Sequence, residues 1–250
     1  MKKSKIRYDR IAICVVLLAL LIFCVFGIVR IVRDRFAAEQ VNGSEHTKLP
    51  RESKKEDCFT VVVDAGHGGE EDSGCVSVDN TRMEKNDVLE LAFLIEDNLK
   101  KHSGVAVLMT RTDDVAVSLE ERCEIANENN ADLFVSVHRN SAISGNGIEA
   151  WINKTSPIPD NILATRILSA LEKVGVSKNR GVSSGYREDP DSNYHVNGGT
   201  QCPSCLLELG FLTNEADNRD FDEKKKQYAA AISDAIVQTG IELGVYLPKS

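Results

Sequence analysis

The chain has 250 residues, 42% hydrophobic and 27% charged, with a formal net charge of -8 and a pI near 5.3. This composition excludes a disordered or fibrous polymer and suits one globular domain with an appendage. The acidic balance argues against a nucleic-acid partner, which would need a basic face.

The N-terminus runs against that charge. Lys2, Lys3, Lys5, Arg7 and Arg10 stand against a single acid, Asp9. Ile11–Val29 then has no charge and no proline. As a helix it would span about 28 Å, close to one hydrocarbon core. A secretory signal would have a shorter apolar stretch and a small-x-small cleavage site, so an uncleaved single-pass membrane anchor is expected. Basic residues are more numerous before the span than after it, where Arg30, Arg33 and Arg35 follow. That asymmetry puts the N-terminus in the cytoplasm and the rest of the chain outside the membrane. Residues 30–57 read as a flexible tether, polar and mixed in charge from Asp34 on.

The body, residues 58–250, alternates strand and helix. Phe59–Ala65 is a buried-strand run, and Asn86–His102 places Val88, Leu91, Ala92, Ile95 and Leu99 at helical spacing. Val105–Thr110 is a second strand. Ser118 and Glu121 form a capping box that opens a helix to about Asn130. Ala131–His138 and Ile148–Ile152 are strands, Asp160–Val174 an amphipathic helix, Ser204–Leu209 a fifth strand and Glu223–Leu243 a closing helix. The alternation predicts an α/β domain: one twisted, largely parallel sheet with helices on both faces. Ligands of such sheets bind beyond the carboxyl ends of the strands.

Those ends carry polar residues. The first strand leads to His67 in "DAGHGG", the third to His138 in "SVHRN", and the fifth to Glu208 in "LLELGF". Two imidazoles on rigid strand ends suit zinc, which in catalytic sites takes three protein ligands and leaves a position open. Glu84, just ahead of a helix in "TRMEKND", is the best third ligand. Gly66, Gly68 and Gly69 would let backbone and metal approach closely. Glu208 lies in a run that should be apolar if buried on both faces. A carboxylate there costs several kcal/mol unless a cation or hydrogen bonds offset it. A phosphate cradle fits poorly, because "GHGGEEDSG" lacks the P-loop and dinucleotide glycine patterns and continues into three acids. No Gly-x-Ser-x-Gly elbow supports a serine nucleophile.

Five cysteines lie beyond the anchor: Cys58, Cys75, Cys123, Cys202 and Cys205. An odd count does not make a disulfide framework. Cys202-Pro-Ser-Cys205 has the spacing of a redox or metal half-site, and reads equally as two free thiols.

The blocks "VVVDAGHGG", "MEKND", "SLEERCEIANENNADLFVSVHRN" and "LLELGFLTNEAD" resemble, in the same order, the zinc-dependent N-acetylmuramoyl-L-alanine amidases of bacterial cell walls. The resemblance covers Phe59 to about Gly244. It implies one zinc held by His67, Glu84 and His138, with Glu208 as the catalytic glutamate and Asn140 matching a common asparagine near the second histidine. It implies peptidoglycan as substrate: the bond cut is the amide between the lactyl group of N-acetylmuramic acid and L-alanine. Two departures stand out. Arg139 follows the second histidine where Ala or Leu is common, and is expected to stabilise an oxyanion, to hold a stem-peptide carboxylate, or only to form a surface salt bridge. The arginine usual before the last strand is missing from "SNYHVNGGTQCPSC", so no substrate contact carries over to Ser183–Cys202. His195 in that loop could touch substrate, and reads rather as a solvated loop histidine. An anchor with a bare catalytic domain resembles the spore-cortex amidases of Gram-positive spore formers. Dependence on an activator protein stays open, as do a zinc peptidase with the same site and a non-catalytic peptidoglycan-binding protein.

Overall fold

The computed structural model describes residues 58–248; the expected anchor over 11–29 and the tether over 30–57 lie outside the described residues. Among the described residues, no helix is long and apolar enough to cross a membrane. The elements follow as β1 (Phe59–Ala65), α1 (Glu84–Leu99), β2 (Val105–Met109), α2 (Leu119–Glu128), β3 (Leu133–Asn140), β4 (Ile148–Ile152), α3 (Ile158–Val174), β5 (Asn179–Ser184), α4 (His195–Gly199), β6 (Ser204–Phe211) and α5 (Glu215–Glu242).

Six strands form one sheet in the order β2-β1-β3-β6-β4-β5. The first four are mutually parallel, and β4 runs antiparallel to β6 while pairing parallel with β5. The expected mostly parallel sheet is therefore present, with one reversed pair at its edge. Strand side chains alternate between faces, and the two faces are covered differently. Val61, Val63, Val135, Val137, Leu207 and Ile148 pack under α1, α3 and α5 in the main core. Val62, Phe134, Leu206 and Trp151 point the other way, onto Cys123, Ala126 and Val196 of α2 and α4. Those two elements are short, so the second face stays open at the carboxyl ends of β1, β3 and β6. The polar residues singled out above emerge there.

Three differences from expectation have physical reasons. The strand β5, "NRGVSS", was not anticipated because it has one apolar residue and lies half-exposed at the sheet edge. The helix α5 starts at Glu215 rather than Glu223, since Asn214 caps it by accepting from the amides of Ala216 and Asp217. Its early turns bury Asp217 and Phe221 in place of an aliphatic stripe. Glu84 is the first residue of α1 rather than a loop residue. The capping box at Ser118 and Glu121 forms as expected.

Candidate active site

Neighbouring parallel strands β1 and β3 pair up to Ala65 and Val137, so His67 and His138 leave the sheet side by side. The start of α1 brings Glu84 between them. His67 Nε2 lies 3.2 Å from Glu84 Oε1, His138 Nδ1 lies 3.0 Å from the same oxygen, and the two ring nitrogens are 3.1 Å apart. Their closeness needs glycine at two positions. A Cβ on Gly66 would fall 2.2 Å from the His138 ring, and one on Gly74 would fall 2.7 Å from both Glu84 and His67. His67 itself has φ 59, a left-handed conformation that a residue with a side chain adopts only under constraint.

Two buried arginines supply that constraint. Arg122 donates to the carbonyls of Ala65 (2.7 Å) and His67 (2.8 Å), and pairs with Asp64 at 2.5 Å. Arg111 donates to the carbonyls of Ala65 (2.9 Å), Gly66 (2.9 Å) and Lys85 (2.8 Å), tying the His67 turn to the start of α1. Asp64 also accepts from Thr110 (2.7 Å) and from Ser136 (2.6 Å), two residues before His138. Burial raises the Asp64 pKa, but Arg122 and these hydroxyls outweigh it and hold the carboxyl below its ordinary range. On the far side of the His67 ring, Nδ1 meets Asp72 Oδ1 at 2.7 Å. That leaves Nε2 facing Glu84 and His138, as expected of an orienting carboxylate behind a metal-ligating imidazole.

The electrostatics of the trio ask for a cation. Burial alone would lower the His67 pKa, yet Glu84 and then Asp72 raise it to about 9. Burial alone would raise that of Glu84, yet His138 and His67 hold it well below the usual carboxylate range. The cluster thus prefers positive charge at its centre. Two imidazole nitrogens and one carboxylate oxygen form a donor set that suits zinc. Among the described residues, His67, Glu84 and His138 are also the group whose donor atoms, all within 4.8 Å of one another, could hold a metal ion. The other oxygen of Glu84 accepts from the Cys75 amide at 2.8 Å, and Oε1 also accepts from the Arg139 amide at 2.9 Å.

Glu208 is the register partner of His138 on β6. It is buried, and its Oε2 has no hydrogen-bond partner among the described residues. Burial pushes its pKa up, His138 pulls it down and Glu84 pushes it up, leaving it at about 7. On its other side stands Glu149 of β4, directly opposite in register. Glu149 is satisfied: it accepts from Asn140 Nδ2 at 2.8 Å, from Arg180 at 2.8 Å, from Trp151 Nε1 at 3.3 Å and from Arg187.

One expectation needs correction. Arg139 is not a surface residue and does not share the face of His138. As the next residue after His138 it faces the opposite side of the sheet, where its side chain is 0% exposed. It pairs there with Asp87 at 2.5 Å, donates to Asn218 at 2.7 Å and lies 4.4 Å from the Phe221 ring centroid. Asn140 is on the proper face, but both its polar groups are engaged internally, with Glu149 and with Arg187 Nη1 (2.9 Å). Cys202 and Cys205 are free thiols. They pack on opposite faces of the sheet, Cys205 in the main core and Cys202 against the α2 side, so they do not form a pair. His195 heads the short α4 with Nε2 3.7 Å from Glu120.

Residues 61–238 match the N-acetylmuramoyl-L-alanine amidase family. The chain belongs to that family. Among curated relatives of this amidase, Bacillus subtilis YqiI is 39% identical over 180 residues, covering 71% of this chain and 81% of YqiI. The probable cell wall amidase LytH of Staphylococcus epidermidis is 31% identical over 183 residues, and the alignment spans 57% of LytH. Among solved structures, the catalytic domain of CwlV, the N-acetylmuramoyl-L-alanine amidase of Bacillus (Paenibacillus) polymyxa var. colistinus, superposes with a TM-score of 0.65 at 31% identity, covering 74% of this chain and 98% of that domain. The CwlD amidase of Clostridioides difficile, in complex with the GerS lipoprotein, gives a TM-score of 0.66 at 26% identity over 74% of this chain and 99% of CwlD.

Proposed function

We propose that this amidase is a zinc enzyme that hydrolyses the amide joining the lactyl group of N-acetylmuramic acid to L-alanine of the stem peptide. The observation that carries the reading is the convergence of His67 Nε2, Glu84 Oε1 and His138 Nδ1 within 3.0–3.2 Å of one another, beside a buried glutamate with an oxygen that has no partner among the described residues. Zinc held by these residues supplies a Lewis acid that acidifies water and polarises a carbonyl. The rest falls to the chain. Asp72 fixes the ring orientation of His67, and Arg111 and Arg122 fix its backbone. Glu208, placed by the sheet register and poised near neutrality by burial, accepts a proton from the attacking water and returns it to the leaving amine. Burial of both Glu84 and Glu208 limits competition from bulk water.

The expected span over Ile11–Val29 supports a single-pass protein of the cell membrane, with the catalytic domain on the extracytoplasmic side where its substrate lies. The likeness to CwlD, whose structure is in complex with a lipoprotein, supports an envelope partner that activates the enzyme.

Two measurements test the reading together. Purified protein, with and without a chelator, is incubated with muropeptides and the products are weighed. Release of an intact stem peptide and a free lactyl end, abolished by chelation and restored by zinc, is expected. Free amino acids or shorter peptides would identify a peptidase instead. Glu208→Gln should keep zinc while kcat falls about 10²–10⁴-fold; a variant that turns over normally would remove Glu208 from the mechanism.

A further inference from the structure

The loop between β5 and α4 carries an arginine to the edge of the site. Arg187 donates Nη1 to Asn140 Oδ1 at 2.9 Å, pairs through Nη2 with Glu149, and has its guanidinium carbon 5.5 Å from the Trp151 ring centroid. Its place relative to the reacting groups follows from register. Glu149 is directly opposite Glu208 in an antiparallel pair, and such partners project from the same face. Asn140 lies two residues beyond His138 on the same strand, hence also on that face. Arg187 therefore stands on the open face of the sheet beside Glu208, at the side away from His67. Its charge is among those that lower the Glu208 pKa, consistent with that proximity.

A bland role would be to neutralise Glu149, but Glu149 does not need it. Arg180 already bonds that carboxylate at 2.8 Å, and Asn140 and Trp151 donate to it as well. Two guanidiniums on one carboxylate leave a net positive charge over. The excess falls on Arg187, whose side chain is 39% exposed. Arg187 uses two of its five N–H donors in hydrogen bonds to the described residues. Tyr186 and Tyr194, edge to face at 4.8 Å, and Trp151 against Tyr194 at 5.5 Å, wall the same side. A rigid guanidinium held from behind, with spare donors facing solvent, is arranged to bind a planar anion.

We infer that Arg187 is a substrate-binding residue that recognises a free carboxylate on the peptide close to the scissile amide, and so sets the preference of this enzyme for acidic over amidated stem peptides. The inference rests on the proposed amidase reading for the identity of the substrate. The recognition itself does not require turnover.

The test uses two ligands, muramoyl peptides identical except that the residue after L-alanine bears a free α-carboxylate or its carboxamide. Binding is measured by calorimetry to the zinc-loaded Glu208→Gln protein, and kcat/KM is measured with the enzyme that retains Glu208. The acid is expected to bind about 10- to 100-fold more tightly than the amide, the range of a charge-assisted pair. Arg187→Gln should bring that ratio close to one, and Arg187→Lys should restore part of it. The same ratios should appear in kcat/KM, carried by KM. Equal binding of acid and amide by the parent protein, or a preference that survives Arg187→Gln, overturns the inference. A binding preference that depends on Arg187, in a protein that releases no stem peptide, upholds the inference and sinks the amidase reading instead.

Discussion

Arg139→Met replaces a fully buried guanidinium with an uncharged side chain that still fills much of its space. The change removes the contacts to Asp87 and Asn218 and the stacking on Phe221. Breaking one partner of a buried ion pair costs about 3–5 kcal/mol, most of it from the charge left behind. Here Asp87 keeps Arg82, whose Nε lies 2.9 and 2.7 Å from its two oxygens, so the residual charge is not bare. The Arg139 Nε is itself a buried atom without a partner among the described residues, and its removal offsets part of the loss. The lower end, about 3 kcal/mol, is therefore expected. In a domain of this size each kcal/mol moves Tm by about 2–4 °C, so the melting temperature should fall by about 6–12 °C. Circular dichroism melts give the stability, and turnover per folded molecule well below the lower Tm gives the activity, which should stay within about threefold of the parent because no reacting group is touched. A Tm that does not move, together with a collapse in kcat/KM, would refute this account and return Arg139 to the substrate.

Asp72→Ala should weaken zinc binding about 10- to 100-fold, as loss of an orienting carboxylate behind a ligand does; competition against a chromophoric chelator reads this directly, and unchanged affinity would deny Asp72 that role. Asp160, buried at the start of α3, has its pKa pushed up to about 6 by burial, against the pull of backbone amides. A raised carboxyl pKa favours the folded state fully below the unfolded value and loses that contribution as pH rises through the folded one. Asp160→Asn should accordingly gain Tm over the parent between about pH 4 and pH 6 and hold a constant lead above pH 7. A lead that shrinks with rising pH would reverse the sign of this linkage.

Three of the four residues proposed for metal and proton chemistry, His67, His138 and Glu208, were legible because each interrupts or ends an apolar run at the place where α/β sheets bind ligands; Glu84 lies in a polar stretch ahead of a helix and was legible only as the carboxylate that could complete the set. Glu149 carries the same signal in "GIEAWI", a carboxylate inside a short apolar strand, but no neighbouring motif points to it. Arg139 was misplaced although period two already assigns it to the face opposite His138. Its charge beside a proposed ligand suggests a role in the site, but strand geometry overrides that reading. Asp72 had no signal of its own, since an exposed acid among glycines looks like any turn residue until the backbone folds it onto His67. Arg187 could not be placed at all, because the distance from a polar edge strand to the centre of a sheet is set by loop conformation rather than by spacing. The edge strand itself was invisible for want of apolar residues, and the first turns of α5 because they bury Asp217 and Phe221.

The reversed pair β4 and β5 separates two kinds of evolutionary freedom. The proposed metal ligands and Glu208 sit just past β1, on β3 and β6 and at the first residue of α1, inside a fabric where a single insertion would shift a register. The loop bearing Arg187 hangs from β5, which has one neighbour in the sheet. It can lengthen, shorten or exchange charges without moving β1, β3 or β6. Descendants of one hydrolytic core can therefore diverge in diet at the margin of the sheet while the chemistry at its middle stays fixed.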